Sequence, residues 1–208
     1  MKNKLRIISL LAVRNEEHYI KKCIEHLISQ GIDIFIIDND SSDSTVAIAE
    51  KFLNNGVIHI ESLPYEGSFD LVAQLALKER LCRSLDADWF IHHDADEIRF
   101  APHPYKTLHE GISDVDAEGF SAVNFDEFVF LPTSREDSFE TTDYVNDMQY
   151  YYYFAPKKFR RINAWKNTGQ DIDLCSSGGH KVKFDNIRIF NKNFILRHYI
   201  FLSYNHAC

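Results

Sequence analysis

The first hundred residues alternate between short apolar runs, typical of buried strands, and longer stretches in which apolar residues recur at helical spacing. The apolar runs cover residues 5–13, 32–37, 57–60 and 89–91. The helical stretches cover residues 20–28, 46–53 and 68–85. Successive parallel strands need a crossover connection, usually a helix. The alternation therefore predicts an α/β fold with a mainly parallel central sheet flanked by helices.

Local sequence signals predict where the first helix begins and which side of the third helix is buried. Asn15 follows the first apolar run and is a favourable N-cap, with Glu16 and Glu17 in the first turn of the helix. Helical spacing places Phe69 and Val72 on the buried side of the third helix.

The alternation stops after Phe100. Strand-like stretches follow at residues 120–131, 180–184, 187–190 and 194–201. No repeat or long linker separates the two parts of the chain. We therefore expect a single domain over residues 1–208, with a ligand-binding half at 1–100 and an irregular, antiparallel half at 101–208.

Polar residues follow the strands of the first half. They are Arg14 to Glu16, Asp38 to Ser44, the segment 63–67 and Asp94 to Glu97. Ligands of open α/β sheets bind beyond the carboxyl ends of the strands. The polar segments therefore predict a site at one edge of the sheet.

Asp94 and Asp96 are the strongest candidates within that site. Residues i and i+2 of an extended chain share a face, so both carboxylates can point at one place. Two such carboxylates repel each other unless a cation or a proton lies between them. Mg²⁺ or Mn²⁺ is the expected partner, because these hard ions prefer oxygen ligands and leave positions open for phosphates. A solvated acidic turn is the alternative.

Composition excludes several classes of protein. The net charge of −8 disfavours a general nucleic-acid binder. The four cysteines show no spacing typical of zinc sites or disulfide frameworks. No apolar run approaches the roughly 20 residues that span a bilayer, so we expect a cytoplasmic protein, with peripheral contact at the inner face of the membrane left open.

At these motifs the chain resembles the family 2 glycosyltransferases of the GT-A (Rossmann-like) fold. The resemblance rests on Val13 to Glu16, Asp38 to Asp43 and Asp94 to Glu97. More narrowly, the chain is similar to a bacterial subgroup with a D-A-D-E motif, a later G-G-H (residues 178–180) and an H-Y (residues 198–199). Members of that subgroup usually continue beyond this point, so we expect a truncated or short member.

The resemblance implies an inverting transfer from a nucleotide-diphosphate sugar, with a UDP-sugar favoured, to a hydroxyl of a glycan or glycolipid, as in bacterial polysaccharide synthesis. It also implies a Mn²⁺ or Mg²⁺ cofactor. The implied nucleotide-binding residues are Val13, Asn15, Glu16, Asp38, Asp40 and Asp94. The implied metal ligands are Asp94, Asp96 and His198. For the general base we prefer Asp173, then Glu127, and His180 is expected near the acceptor or a phosphate.

Each of these residues also has a purely structural interpretation. The Asp38 to Asp43 segment can cap a helix, Glu16 can be a first-turn dipole partner, and His198 can be a core histidine. The Tyr150 to Tyr153 run either stacks on sugar rings or buries alternate side chains. The basic patch Lys157 to Arg161 either binds an anionic acceptor or headgroup or is a solvated turn.

Two other functions stay open. A sugar nucleotidyltransferase also pairs carboxylates with Mg²⁺, but we find no glycine-rich phosphate loop after the first strand. A nucleotide-sugar-binding module without turnover would keep the same donor residues.

Overall fold

The computed structural model of the protein describes residues 4–154 and 158–207. Within these residues nine strands form one sheet: β1 Ile7–Val13, β2 Asp33–Asp38, β3 Val57–Ser62, β4 Trp89–Asp94, β5 Glu97–Phe100, β6 Ala122–Phe130, β7 Tyr151–Phe154, β8 Arg161–Lys166 and β9 Phe194–His198. The α-helices are α1 Ile20–Ser29, α2 Thr45–Ala49, α3 Leu71–Ser84, α4 Leu108–Ala117 and α5 Tyr144–Asp147.

The sheet is parallel in its first half and mixed in its second. The strand order is β3-β2-β1-β4-β8-β6-β9-β5, with β7 paired to β6. Strands β1 to β4 pair only in parallel with one another, whereas β8 runs antiparallel to both β4 and β6. This arrangement confirms the predicted α/β class with an antiparallel second half.

Helices cover both faces of the sheet and make two apolar layers. On one face, Leu27 of α1 and Ile112 of α4 pack in a cluster with Leu11 of β1. On the other face, Leu81 of α3 packs in a cluster with Leu10 of β1. Strand β1 is therefore buried throughout, because alternate side chains enter opposite layers.

The predicted start of α1 is wrong. The helix begins at Ile20, and Asn15 lies upstream with a positive φ of 55°. The Asn15 side chain does not cap α1; its Oδ1 accepts a hydrogen bond of 2.8 Å from the backbone N–H of Ser42. Asn15 thus joins the loops that follow β1 and β2.

The predicted inner face of α3 is also partly wrong. The helix begins at Leu71, and the Asp70 carboxylate caps it by accepting a hydrogen bond from the backbone N–H of Ala73. Phe69 therefore precedes the helix and is 59% exposed, and Val72 in its first turn is 64% exposed.

The second half contains a helix that was not predicted and lacks two strands that were. Helix α4 packs three apolar residues spaced as on one helix face, Leu108, Ile112 and Val115, against the sheet. Residues 180–184 and 187–190 take part only in isolated bridges such as Ile162 with Lys181. No helix in residues 4–154 and 158–207 is long and apolar enough to cross a membrane.

Candidate active site

A cavity of about 540 Å³ opens at the carboxyl ends of β1 and β4. Six of the residues singled out in the sequence line it: Val13, Glu16, Asp94, Asp96, His180 and His198. The first four come from the parallel half of the sheet and the two histidines from the second half. The cavity therefore lies where the rule for open α/β sheets places a ligand.

Asp96 and His198 are held side by side. The turn after β4 carries Asp96, and β9 carries His198 by pairing antiparallel with β5. The Asp96 Oδ2 atom lies 3.0 Å from His198 Nε2, and His198 Nδ1 lies 2.8 Å from Glu127 Oε1. The imidazole ring thus bridges a carboxylate of the cavity and a carboxylate of β6.

Glu127 is itself clamped by an arginine that the sequence analysis placed only in a basic patch. Arg161 donates to both Glu127 oxygens, over 2.8 Å from Nε and 2.7 Å from the terminal guanidinium nitrogen. Its other terminal nitrogen lies 2.8 Å from His180 Nδ1. These contacts form a continuous hydrogen-bonded network of Asp96, His198, Glu127, Arg161 and His180. Arg161 also lines the cavity.

This hydrogen-bonded network shifts the pKa values of His198 and Glu127. Burial alone would lower the pKa of His198, but its hydrogen bonds to Asp96 and Glu127 raise that pKa to about 10. Burial alone would raise the pKa of Glu127, but hydrogen bonds from Arg161 and His198 lower it to about 2. Glu127 is thus a fixed anion that orients His198, and such an anion is a poor proton acceptor at neutral pH.

Three carboxylates, Glu16, Asp94 and Asp96, place negative charge in the cavity lining. Burial, followed by the nearby charges of Asp96 and Asp94, raises the pKa of Glu16 to about 8. Burial and Glu97, with a smaller contribution from Asp96, raise the pKa of Asp94 to about 6. Three carboxylates therefore compete for protons or for a cation.

The residues fit a divalent cation with shared ligation. The 3.0 Å between Asp96 Oδ2 and His198 Nε2 is a hydrogen-bond distance, so His198 would give up its Nε2 proton to become a ligand of such an ion. The bond from His198 Nδ1 to Glu127 is the support that metal-binding histidines usually have. Within residues 4–154 and 158–207 no three His, Cys, Asp or Glu side chains could hold a metal, so phosphate oxygens and water would complete the ligand set.

The last residue of the D-A-D-E motif is structural. Glu97 is buried and forms an ion pair with Arg99, which is also fully buried. Its Oε2 atom additionally accepts a weak hydrogen bond of 3.4 Å from the backbone N–H of Asp94. Glu97 therefore supports the backbone that presents Asp94.

His92, which lines the cavity, and the fully buried Lys78 behind it form a pair that the sequence analysis did not place in the site. His92 of β4 lines the cavity, and its Nδ1 atom lies 3.1 Å from Nζ of Lys78 in α3. Burial lowers the pKa of the Lys78 ammonium to about 8, and burial together with Lys78 keeps the pKa of His92 well below its usual value. No sequence motif marks Lys78, because it occupies an ordinary position of an amphipathic helix.

Gly179 is needed beside His92. Its φ is +79°, and a Cβ atom there would lie 2.9 Å from His92 Nε2. We expect Gly179→Ala to lower the free energy of unfolding by about 1–3 kcal/mol through backbone strain, and by more through the contact with the ring. Gly169→Ala is the matched control, since φ there is +72° but the Cβ would meet no atom within 4 Å. Urea unfolding of both variants should show the larger loss at Gly179; equal losses would contradict the steric role.

Because His93 is buried, we expect the fold to lose stability at acidic pH. Burial, followed by the charge of Arg99, lowers the pKa of His93 from 6.5 to about 3. A depressed histidine pKa stabilises the fold above the unfolded value of 6.5, and this stabilisation disappears as the pH falls toward 3. The free energy of unfolding should therefore fall by about 1.4 kcal/mol per pH unit from this residue alone. Denaturant titrations between pH 6 and 4 should show a shallower slope for His93→Gln and an unchanged slope for His59→Gln, an exposed control.

Three expected nucleotide-binding residues do not line the cavity but shape the loops beside it. The Asp38 carboxylate accepts from the backbone N–H of Ser41 at 3.2 Å, and the Asp40 carboxylate accepts from that of Tyr65 at 2.8 Å. The Tyr65 ring stacks under the Arg14 guanidinium at 3.4 Å. With Asn15 bonded to Ser42, described above, these contacts organise the loops that follow β1, β2 and β3.

The preferred general base, Asp173, also lies outside the cavity lining. Its Oδ1 atom accepts a hydrogen bond of 2.8 Å from the backbone N–H of Ser176, and Lys183 lies 3.9 Å from its Oδ2. Hydrogen bonds from Ser176 lower the pKa of Asp173. The structure thus gives this carboxylate a loop-capping environment.

The aromatic and basic segments of the second half have different environments. The four residues of the Tyr150 to Tyr153 run are 48–70% exposed, so the interpretation as alternate buried side chains is wrong. In the basic patch, Lys157 lies outside the described residues and Arg161 is buried in the site. Lys158 and Arg160 line a smaller hollow of about 240 Å³, which Glu127 also lines.

Comparisons with known protein sequences match the first half of the chain. Residues 10–98 match the sequence model of glycosyl transferase family 2. The chain is 32% identical over 92 residues to the uncharacterized glycosyltransferase RC0292 of Rickettsia conorii, a match that covers 44% of this chain and 29% of that protein.

Solved structures extend the likeness to the second half. The fold superimposes on S. aureus TarS with a TM-score of 0.56 and 11% identity, covering 94% of this chain and 37% of TarS. The structure of TarS 1–349 in complex with UDP gives a TM-score of 0.56 and 12% identity, with 94% and 61% coverage. At such identity the likeness shows the fold alone, and the chain spans well under half of full TarS and of RC0292.

The predicted resemblance to family 2 is confirmed, whereas membership of the D-A-D-E subgroup stays a prediction. Residues 10–98 match the sequence model of glycosyl transferase family 2, and the chain has the fold of the GT-A glycosyltransferases.

Proposed function

We propose that the chain transfers a sugar from a nucleotide-diphosphate donor, with a UDP-sugar favoured, to a hydroxyl of a glycan or glycolipid. The observation that carries this proposal is the pairing of Asp96 with His198 at 3.0 Å in a cavity at the carboxyl ends of β1 and β4. The family 2 match of residues 10–98 and the UDP complex of the similarly folded TarS 1–349 support the donor class.

In this proposal Asp96 and His198 hold a Mg²⁺ or Mn²⁺ ion, with Asp94 beside them. When bound there, such an ion would neutralise charge on the diphosphate leaving group. Glu127 keeps the His198 ring oriented through Nδ1, and Arg161 keeps Glu127 ionised. Arg161 also presents its guanidinium to the cavity, where it can bind an anionic oxygen.

The remaining walls fit the donor and the acceptor. Val13 and Glu16 lie at the end of β1, where we place the nucleoside, because a carboxylate can accept from ribose hydroxyls or a ring N–H. His180 lies near Arg161 on the side of the second half, where we place the acceptor or a phosphate. Transfer with inversion is the proposed stereochemical course, which needs a proton acceptor for the attacking hydroxyl.

Calorimetric titration with UDP, GDP and dTDP, each with and without Mg²⁺ or Mn²⁺, tests the proposal. We expect one nucleotide to bind only in the presence of the cation. Release of nucleoside diphosphate from the matching nucleotide sugar then separates an enzyme from a binding module, which would bind without turnover. Binding of nucleoside triphosphates with release of pyrophosphate would favour the nucleotidyltransferase instead, and no binding under any condition would refute the proposal.

A further inference from the structure

A lysine lies beneath the candidate active site without an acidic partner. Lys78 of α3 is fully buried, and within residues 4–154 and 158–207 no carboxylate oxygen comes within 4.0 Å of its ammonium group. Its Nζ atom lies 3.1 Å from His92 Nδ1 and 3.2 Å from the carbonyl oxygen of His93. Burial of such a group is costly unless its hydrogen bonds are made, so these two contacts define what the lysine does.

The contact with Lys78 decides the tautomer of His92. An ammonium group can only donate hydrogen bonds, so Nδ1 of His92 is the acceptor. A neutral imidazole has one protonated nitrogen. His92 therefore carries its proton on Nε2.

The Nε2 side of the ring faces Asp94, which lines the same cavity. The Asp94 Oδ2 atom is 3.9 Å away, beyond hydrogen-bond distance, and Nε2 has no hydrogen-bond partner in the described part of the chain. Gly179 lets the backbone pack against the ring, because a Cβ there would come within 2.9 Å of Nε2. An uncharged N–H donor thus lies beside Asp94, among carboxylates that cannot themselves bind an anion.

We propose that Lys78 is a positioning residue that holds His92 as an Nε2–H donor, and that this donor binds a phosphate oxygen of the nucleoside diphosphate. This inference rests on the proposed function for its ligand. The tautomer part is a property of the protein alone and can be measured without any ligand.

Nitrogen-15 NMR of the histidine-labelled protein tests the tautomer directly. His92 is assigned by the signal that disappears in His92→Gln. We expect the wild-type ring to show a protonated Nε2 and an unprotonated Nδ1. In Lys78→Met the Nδ1–H tautomer of His92 should be populated beside the Nε2–H tautomer or replace it. Lys78→Gln, whose amide can still donate to Nδ1, should restore the Nε2–H tautomer. A wild-type His92 with its proton on Nδ1 overturns the inference.

Titration with UDP and Mg²⁺ tests the function of the donor. Loss of one oriented hydrogen bond should weaken UDP binding roughly tenfold in Lys78→Met, and Lys78→Gln should recover most of that loss. A second pair of variants, at His92, keeps the test valid if Lys78→Met does not fold. His92→Gln keeps an amide donor near the Nε2 position and should bind UDP about tenfold more tightly than His92→Asn, whose amide reaches only the Nδ1 position.

The outcomes separate the inference from the proposed function. Equal UDP affinity within both variant pairs overturns the inference and leaves the proposed function standing. Failure of the wild type to bind UDP, GDP or dTDP overturns the proposed function and the ligand part of the inference together, and it is seen before any variant is made. Thermal unfolding of each variant without ligand confirms that the affinities refer to folded protein.

Discussion

Replacing Asp96 by Asn is expected to abolish cation-dependent binding of the nucleotide and to reduce sugar transfer by roughly 100-fold or more, since a metal ion supplies several kcal/mol of charge stabilisation. The amide keeps the shape of the side chain but removes its charge, and with it the ionic part of the pairing with His198 Nε2 at 3.0 Å. Calorimetry with UDP and Mn²⁺, followed by release of UDP from the sugar donor, measures both effects.

Asp173→Asn is the matched control for that experiment. It makes the same chemical change at a carboxylate that lies outside the cavity lining and contacts Ser176. We expect transfer and binding in this variant to stay close to the wild type. A large loss at Asp173 would instead support the role of general base that the sequence suggested, and unchanged binding in Asp96→Asn would refute the proposed cation site.

Replacing Glu127 by Gln is expected to give the largest loss of stability, about 3–5 kcal/mol, because removing one partner leaves the buried Arg161 without a full counter-charge. The single amide oxygen of the variant can also accept only part of the hydrogen bonds that the two carboxylate oxygens accept from Arg161 and His198 Nδ1. Urea unfolding should show a lower midpoint with an unchanged slope. Transfer should fall as well, since the ring of His198 loses its orientation.

An exposed ion pair provides the comparison. Arg83 and Asp171 are also 2.8 Å apart, but their side chains are 58% and 81% exposed. Asp171→Asn should therefore cost no more than about 1 kcal/mol, because water and salt screen such pairs. Adding Arg161→Gln to Glu127→Gln should cost less than the sum of the single changes. Similar losses at Glu127 and Asp171 would contradict the buried network.

The second half of the chain contributes side chains to the candidate site. His198 comes from β9, Glu127 from β6 and Arg161 from β8, and together they hold the side of the cavity that faces Asp96. The irregular half therefore supplies both the orientation of a candidate metal ligand and a guanidinium in the cavity lining. This division explains why the family motifs of residues 10–98 describe only part of the site.

Much of the fold could be predicted from the sequence alone. The alternation of apolar runs and helical spacing determined the parallel sheet, because burial on both faces leaves a continuous apolar signal in each strand. The position of Asp94 and Asp96 at the end of β4 predicted the edge of the sheet at which the cavity lies. Helix α4 could also have been found, from the spacing of Leu108, Ile112 and Val115.

Only the tertiary structure decided how the side chains pair. His198 and Asp96 are 102 positions apart, and Glu127 and His198 are 71 apart. Their contacts depend on β9 running parallel to β6 and antiparallel to β5, and strand register over such separations is set by packing. Lys78 shows the same limit, since nothing local distinguishes a lysine on a solvated helix face from one buried against His92. Local propensity and periodicity act over a few residues, whereas charge pairing and burial depend on which distant strands become neighbours.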